Sequence, residues 1–208
     1  MDNRVKQLLN AGHRVVDLGC GSGEMLRDLG GCFKERIGLD ASRGRISRRG
    51  EEMPDGWKFV EADLNRSFDL ESNSVDAIIA NQVIEHIVDP IAFTKEIYRV
   101  LKSDGRCVIT TPNIRYIRHI VHLVCSGDGP RTAGGNIRDG LWDDGHIHYF
   151  THNDLRELFR SVGFRDVRSR ALVDMSGGGV IRHWFDRVSE SYFVRELLTG
   201  NILLWAIK

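Results

Sequence analysis

The segment that most constrains the fold covers residues 14–26 and reads R-V-V-D-L-G-C-G-S-G-E-M-L. A short apolar run leads into Asp17, and three alternating glycines follow at Gly19, Gly21 and Gly23. Glycines allow bare backbone to approach a ligand, and a helix that begins directly after such a turn presents its free N–H groups. The segment therefore predicts a buried parallel strand, a tight ligand-binding turn and a helix.

The spacing of these glycines distinguishes between two kinds of cofactor. A dinucleotide fingerprint has the form G-x-G-x-x-G, and Glu24 stands where its third glycine would be. The carboxylate of Asp17 would repel a pyrophosphate, but it suits a ligand with a cationic ammonium and sulfonium. Both acids argue against an NAD-dependent oxidoreductase. In this D-x-G-x-G-x-G segment the chain resembles the class I S-adenosylmethionine-dependent methyltransferases, which implies S-adenosylmethionine as cofactor and S-adenosylhomocysteine as product.

Strand and helix patterns alternate along the rest of the chain, which predicts an α/β fold with a doubly wound, mostly parallel sheet. Besides the first strand, strands are predicted at 36–40, 57–62, 75–80, 106–111, 166–173 and 201–208. Helices are predicted at 2–12, 23–31, 42–51, 90–105, 113–125, 151–163 and 180–199. The resemblance implies a seven-stranded Rossmann-like methyltransferase fold, in which the last strand is antiparallel between the fifth and the sixth.

We expect a single methyltransferase domain over residues 1–208. Within it, residues 113–150 would form a substrate-side helix and a lid, because residues 126–145 are glycine-rich and lack a clear period. The predicted helix over 113–125 has an apolar side and a basic side. The basic side could bind an acidic acceptor or simply face solvent; it carries Arg115, Arg118, His119 and His122.

Acidic residues end three successive predicted strands, at the sheet edge where doubly wound folds bind ligands. By resemblance to the family, Asp17 would hold the methionine amino region, Asp40 both ribose hydroxyls, and Asp63 the adenine amino group. A capping role for Asp17 stays open, and Asp40 alone does not exclude NAD. The full set of predicted cofactor-binding residues is Asp17, Gly19, Cys20, Gly21, Gly23, Asp40, Ala41, Asp63, Leu64, Asn81 and Gln82.

Histidines in two later motifs are the candidate catalytic residues. E-H-I-V-D-P at 85–90 and G-H-I-H-Y-F-T at 145–151 resemble the methyltransferase-11 type, and P-N-I-R-Y-I-R-H after the fifth strand resembles MetW-type methyltransferases. A general base is needed only for a poorly ionised hydroxyl or a protonated amine, and histidine suits that task with its ordinary pKa of about 6.5. His146 and His148 alternate along an extended segment, so one of them would face the pocket, and we favour His146. A structural role stays open for both, as it does for His86.

Composition narrows the classes of partner. Lys plus Arg and Asp plus Glu number 29 each, so the net charge of +0 gives no global attraction to nucleic acid. No apolar run is long enough to span a bilayer, and the four cysteines form no C-x-x-C pair, which predicts free thiols in the cytoplasm. We expect a small-molecule acceptor and no metal. The methyl group could go to O, N or C, and a homodimer, a biosynthetic partner enzyme or cofactor binding without turnover stays open.

Overall fold

The computed structural model describes residues 3–41, 56–133, 142–172 and 191–208. Elements are labelled in chain order within these ranges. The strands are β1 (Gly12–Leu18), β2 (Phe33–Asp40), β3 (Trp57–Glu61), β4 (Val75–Asn81), β5 (Leu101–Pro112), β6 (Arg165–Leu172) and β7 (Asn201–Ile207). The helices are α1 (Asn3–Leu9), α2 (Glu24–Asp28), α3 (Pro90–Val100), α4 (Ile117–Cys125), α5 (His152–Val162) and α6 (Tyr192–Leu197), with short 3₁₀ turns at Ile84–His86 and Trp142–Gly145.

The strands form one seven-stranded sheet in the order β3-β2-β1-β4-β5-β7-β6. All neighbouring pairs are parallel except those of β7, which runs antiparallel between β5 and β6. The predicted α/β fold and the antiparallel last strand are confirmed. Strand order reverses between β1 and β4, and in such sheets ligands bind beside this reversal, at the carboxyl ends of the strands.

Apolar side chains pack on both faces of the sheet, which explains the almost wholly apolar sequences of the central strands. In β4, Ile78 lies in one core cluster, whereas Ala77 and Ile79 lie in the other. The cluster that contains Ile78 also includes Phe93 and Ile97 of α3 and Leu155 and Phe159 of α5. The rigid two-sided core fixes the positions at which β1 and β4 end.

Local sequence explains the ends of the best-predicted helices. Asp89 caps α3 by accepting hydrogen bonds from the N–H groups of Ile91 and Ala92. Thr151 and Asp154 form a reciprocal capping box at the start of α5, and Gly163 ends it with a left-handed φ of 113°. The predicted boundaries of these two N-termini are confirmed.

Two glycines that the sequence analysis placed at helix ends lie in strands instead. α1 ends at Leu9, and Gly12 starts β1, where its N–H donates to the carbonyl of Cys32. α3 ends at Val100, and Gly105 lies inside β5, next to a shift in the β4–β5 register. At both positions a Cβ would come within 2.8 Å of another atom, so close packing rather than helix termination requires glycine.

The predicted helix over 113–125 begins four residues late. The Asn113 carboxamide donates to the carbonyls of Glu196 and Thr199, and its Oδ1 accepts from the N–H of Arg115, so the chain turns before α4 starts. The apolar side of α4 is exposed to solvent among the described residues, at Ile117, Val121 and Val124.

Several predictions concern parts of the chain beyond these ranges. The predicted helix over 42–51, the middle of the predicted lid and the first half of the 180–199 helix lie outside the described residues. All four cysteines are free, as predicted. No helix in the described part of the chain is long and apolar enough to cross a membrane.

Candidate functional site

The glycine turn, residues 19–23, joins β1 to α2 with its backbone in the left-handed region. Gly19, Gly21 and Gly23 have φ angles of 71°, 51° and 75°, which side-chain-bearing residues rarely adopt. A Cβ on Gly23 would lie 2.0 Å from the Trp57 ring, so β3 closes one side of the turn. A Cβ on Gly21 would meet no atom within 4 Å, so this part of the turn faces open space.

The carboxylates of Asp17 and Asp40 lie beside this turn. Asp40, at the end of β2, accepts a hydrogen bond of 2.8 Å from the N–H of Gly21. Asp17, near the end of β1, is only 1% exposed, and its Oδ2 has no hydrogen-bond partner among the described residues. Burial, with a smaller contribution from the charge of Asp40, raises the pKa of Asp17 to about 8. Asp17 therefore keeps a proton near neutral pH unless a cation lies against it and stabilises the ionised carboxylate.

Cys20 packs into β2 at a glycine that the sequence analysis did not single out. A Cβ on Gly38 would lie 2.6 Å from the Cys20 sulfur. Burial, followed by the charges of Asp17 and Asp40, raises the pKa of the Cys20 thiol to about 12, so it remains protonated. Cys20 thus contributes its backbone and its packing to the turn, and its thiol is no nucleophile.

The predicted adenine-side residues follow β2 and β3. Asp63 lies two residues beyond β3, and its side chain is 52% exposed. Its carboxylate accepts from the backbone and side-chain nitrogens of Asn65 and lies 3.3 Å from Arg66 Nε, interactions that hold its pKa below the ordinary value. Leu64 packs against the core, and Ala41 is exposed just after Asp40.

Asn81 and Gln82 come at the carboxyl end of β4, next to β1. Thr110 of β5 organises both residues: its hydroxyl donates to Asn81 Oδ1 at 2.6 Å and accepts from Gln82 Nε2 at 3.2 Å. Gln82 has a positive φ of 56°, which turns the chain sharply out of the strand. Val83 then packs against the glycine turn, since a Cβ on Gly19 would lie 2.6 Å from its Cγ2.

The loop after β4 brings Glu85 and His86 together with His146, and we call these three residues the imidazole cluster. The rings of His86 and His146 meet edge to face, with centroids 4.7 Å apart. His146 Nε2 lies 4.0 Å from Glu85 Oε1. Burial raises the pKa of Glu85, and burial together with the neighbouring His86 lowers the pKa of His146. The cluster therefore favours neutral imidazole.

Asp143 and Thr132 hold the other side of His146. Thr132 Oγ1 lies 2.7 Å from His146 Nδ1 and donates to Asp143 Oδ2 at 3.2 Å. Asp143, only 3% exposed, also accepts from the N–H groups of Thr132 and Ala133. No pattern in the sequence singled out Thr132 or Asp143, which lie far from Glu85 along the chain.

The candidate histidines do not all meet in one place. The Glu85 carbonyl accepts from the N–H groups of Ile147 and His148, which fastens the 142–148 segment to the loop after β4. This brings His146 into the cluster, whereas His148 Nε2 lies 3.3 Å from the carbonyl of Val88. The E-H-I-V-D-P motif drew attention to His86, but no sequence signal showed that Glu85 would meet the segment around His146.

The geometry of the turn fits the cationic methionine end of S-adenosylmethionine, because a buried carboxylate oxygen lacks a partner beside an open backbone cradle. A family described as "Methyltransferase domain" matches residues 1–169. The chain belongs to this methyltransferase family. The matched residues include both the glycine turn and the imidazole cluster.

Two curated proteins show how this chain is similar to known methyltransferases. The demethylmenaquinone methyltransferase of Clavibacter sepedonicus is 31% identical over 171 residues, which cover 78% of this chain and 69% of that protein. The mitochondrial ubiquinone biosynthesis O-methyltransferase of Bos taurus is 28% identical over 122 residues, 56% of this chain and 33% of that protein. This chain thus spans about a third of the length of some curated relatives.

A solved structure supports the fold. The SAM-dependent methyltransferase from Archaeoglobus fulgidus superposes with a TM-score of 0.67 at 20% identity, covering 99% of this chain and 90% of that one. At this level of identity the similarity establishes the methyltransferase fold alone.

Proposed function

We propose that this methyltransferase transfers a methyl group from S-adenosylmethionine to a small-molecule acceptor bound at the imidazole cluster. The observation that carries the proposal is the buried carboxylate of Asp17, whose Oδ2 lacks a hydrogen-bond partner in the described chain beside the open face of Gly21. Without a partner this carboxyl group keeps its proton up to about pH 8, and a cation that pairs with it would replace the proton. The ammonium of the methionine part would be that cation.

The other cofactor contacts follow from the strand ends. In the proposal, Asp40 accepts from the ribose hydroxyls, Asp63 and Leu64 contact the adenine, and Asn81 and Gln82 border the methyl group. When bound, the cofactor supplies an electrophilic methyl group on a sulfonium. The chain has to hold the acceptor in line with it, and such positioning alone can supply about 7–11 kcal/mol in favourable cases.

The acceptor side of the proposal combines the cluster with α4. Burial lowers the pKa of His119 in α4, and the nearby charge of Asp143 opposes this shift, so the basic side of α4 faces the cluster. Ile117 and Val121 are exposed on the apolar side of α4, where an open pocket of about 500 Å³ lies along the helix, on the side away from His119. The relatives support an acceptor with an apolar body and a polar reacting end, since one is named for ubiquinone biosynthesis and another as a demethylmenaquinone methyltransferase. His146, with a lone pair on its neutral ring, is our preferred group for contacting the reacting end.

Calorimetric titration with S-adenosylhomocysteine, run beside NAD, tests the cofactor. We expect micromolar binding of S-adenosylhomocysteine, no binding of NAD, and affinity weakened at least tenfold in a folded Asp40→Ala variant, about the contribution of a hydrogen bond to a charged group. Binding of NAD, or no binding of either ligand by folded protein, would refute the proposal.

Turnover is measured separately as S-adenosylhomocysteine released from S-adenosylmethionine in the presence of a naphthohydroquinone or a catechol. Release that depends on the added acceptor supports the proposed reaction. Binding without release for any hydroxylated acceptor would instead favour a cofactor-binding partner protein.

A further inference from the structure

We propose that Glu85, His86 and His146 form a binding site for one divalent transition-metal ion. One ring nitrogen of each histidine and one carboxylate oxygen of Glu85 lie within 4.8 Å of one another. Two imidazoles and one carboxylate are the protein ligands of zinc sites that keep a fourth position open, and the same donors suit other first-row metals. The sequence analysis expected no metal; His146 lies far along the chain from the adjacent Glu85 and His86.

The hydrogen bonds around His146 fix which nitrogen carries its lone pair. The carboxylate of Asp143 can only accept, so the Thr132 hydroxyl donates to it and is left to accept from His146 Nδ1. The ring proton therefore lies on Nδ1, and the lone pair lies on Nε2. Nε2 is the atom that faces Glu85 Oε1, at 4.0 Å.

His86 is oriented in the same manner. Its Nδ1 lies 3.0 Å from the carbonyl of Gly145, which can only accept, so Nδ1 carries the proton. Both histidines of the cluster thus give their Nδ1 proton to a fixed acceptor. Metal-binding imidazoles are held in this way by carbonyl or carboxylate partners, which set the tautomer and the ring orientation.

Glu85 supplies the negative charge and an unused oxygen. Its Oε2 accepts from Thr111 at 2.9 Å, but its Oε1 has no hydrogen-bond partner among the described residues, although Glu85 is only 1% exposed. With Glu85 ionised, two lone-pair donors, Oε1 and His146 Nε2, face each other with no hydrogen between them. A cation between them would turn this unfavourable contact into two bonds.

The distances require a small closure on binding. Zinc–nitrogen and zinc–oxygen bonds of about 2.1 Å put tetrahedral ligand atoms about 3.4 Å apart. The pair at 4.0 Å would therefore move together by about half an ångström, and ligand atoms as far apart as 4.8 Å by about 1.4 Å, within the reach of side-chain rotations. Thr111 and Gly145 would keep their hydrogen bonds during this movement, since they hold the opposite atoms of Glu85 and His86.

The location gives the metal a use that rests on the proposed function. The cluster follows β4 and touches β5 through Thr111, beside the glycine turn. The ion would bind the lone pair of His146 Nε2 and would contact the acceptor in place of His146. An acceptor hydroxyl could take the open metal position; its oxygen would bind the ion and its proton would pass to water. A bound ion lowers the pKa of such an oxygen. The inference thus favours an oxygen acceptor over nitrogen or carbon.

Titration of EDTA-treated protein with zinc chloride tests the site directly. We expect one zinc per chain, and at least tenfold weaker binding in both Glu85→Gln and His86→Ala. His13→Ala is the matched control, because His13 is exposed near the amino end of β1, at the opposite edge of the sheet, and should bind zinc as the wild type does. Cobalt(II) in place of zinc should give a visible absorption band that the same two variants lose.

Two results would overturn the inference: no zinc binding by folded wild-type protein, or unchanged affinity in both variants. If Glu85→Gln does not fold, His86→Ala decides, because His86 is accessible to solvent. S-adenosylhomocysteine is titrated into the same EDTA-treated samples. Binding of S-adenosylhomocysteine without zinc binding would reject the metal site and leave the proposed function standing; zinc binding without S-adenosylhomocysteine binding would do the reverse.

Discussion

Asp17 at the glycine turn and Asp143 behind the imidazole cluster are both buried carboxylates, and their hydrogen bonding is opposite. Asp17 is 1% exposed and leaves Oδ2 without a partner among the described residues. Asp143 is 3% exposed, and both of its oxygens accept hydrogen bonds from Thr132 and Ala133. One carboxylate is ready for a ligand, whereas the other is already used to hold the protein.

The difference separates a region that binds from a region that positions. The glycine turn combines an open backbone with an unsatisfied charge, so a cationic ligand completes it. Around the cluster, Asp143 and Thr132 complete each other and orient His146, so only the lone pairs of Glu85 and His146 remain for a ligand or metal. A substitution at Asp17 should therefore act mainly on ligand binding, and a substitution at Asp143 mainly on the stability of the fold.

The largest effect should come from Gly23→Ala. The new methyl group would lie 2.0 Å from the Trp57 ring, and φ is already 75°. Backbone strain of about 1–3 kcal/mol and overpacking of about 1–3 kcal/mol would add. Urea unfolding should show this loss. Gly21→Ala is the control: it shares the positive φ but has open space, so we expect about 1–2 kcal/mol. Equal losses in both variants would mean that Trp57 does not close the turn.

Asp17→Asn should come next, and its effects on binding and on stability should have opposite signs. Loss of a buried ion pair with the ammonium should weaken S-adenosylhomocysteine binding by about 3–5 kcal/mol, a hundredfold or more. Without ligand, however, the variant should be more stable than wild type near pH 8 by roughly 1–3 kcal/mol, since it removes a buried unpartnered charge. Calorimetric titration and urea unfolding measure the two effects.

The pH dependence of the free energy of unfolding shows whether the Asp17 side chain stabilises or destabilises the fold. Its pKa rises from the ordinary 3.8 to about 8 in the folded chain, so the folded state holds the proton more tightly than the unfolded state. Its contribution to stability is full below pH 3.8 and is lost as the pH rises through 8. The advantage of Asp17→Asn should therefore grow between pH 4 and 8. A constant difference would mean that Asp17 has a partner in solution.

Much of the fold was predictable, because strand and helix patterns depend on neighbouring residues. The D-x-G-x-G-x-G segment, Thr151 and Asp154, and the final strand all lie where the sequence analysis expected them. Gly12 and Gly105 were misassigned because glycine is also required where the backbone packs closely. Gly12 packs against Asp76, which is far away along the chain, and Gly105 packs against Lys102 beside the shift in the β4–β5 register. A sequence pattern does not show such contacts.

In the candidate site, too, features set by neighbouring residues were predictable and contacts between distant segments were not. The residues that we propose for cofactor binding lie at or just after strand ends, so their positions followed from predicting the strands. The partners of His146 did not: Thr132, Asp143 and Glu85 come from three separate segments, which only folding brings together. The alternation of His146 and His148 indicated that one of them would face inward, but not what it would meet.

Asp143→Asn should give the smallest of the three effects, and it should change the stability of the fold but not the binding of S-adenosylhomocysteine. An amide can accept at one atom, so one of the two oxygens that bind Thr132 and Ala133 would be replaced by a donor, at about 1–3 kcal/mol of stability. Asparagine tolerates the left-handed φ of 43°, so backbone strain does not contribute.

The control is Asp144→Asn, at the exposed neighbour with a φ of 56°. Its stability should be within about 0.5 kcal/mol of wild type. S-adenosylhomocysteine affinity should stay within about twofold in both variants, because neither residue borders the glycine turn. If Asp143→Asn instead lost cofactor affinity and kept its stability, Asp143 would belong to the binding region, and its assignment as a positioning residue would be wrong.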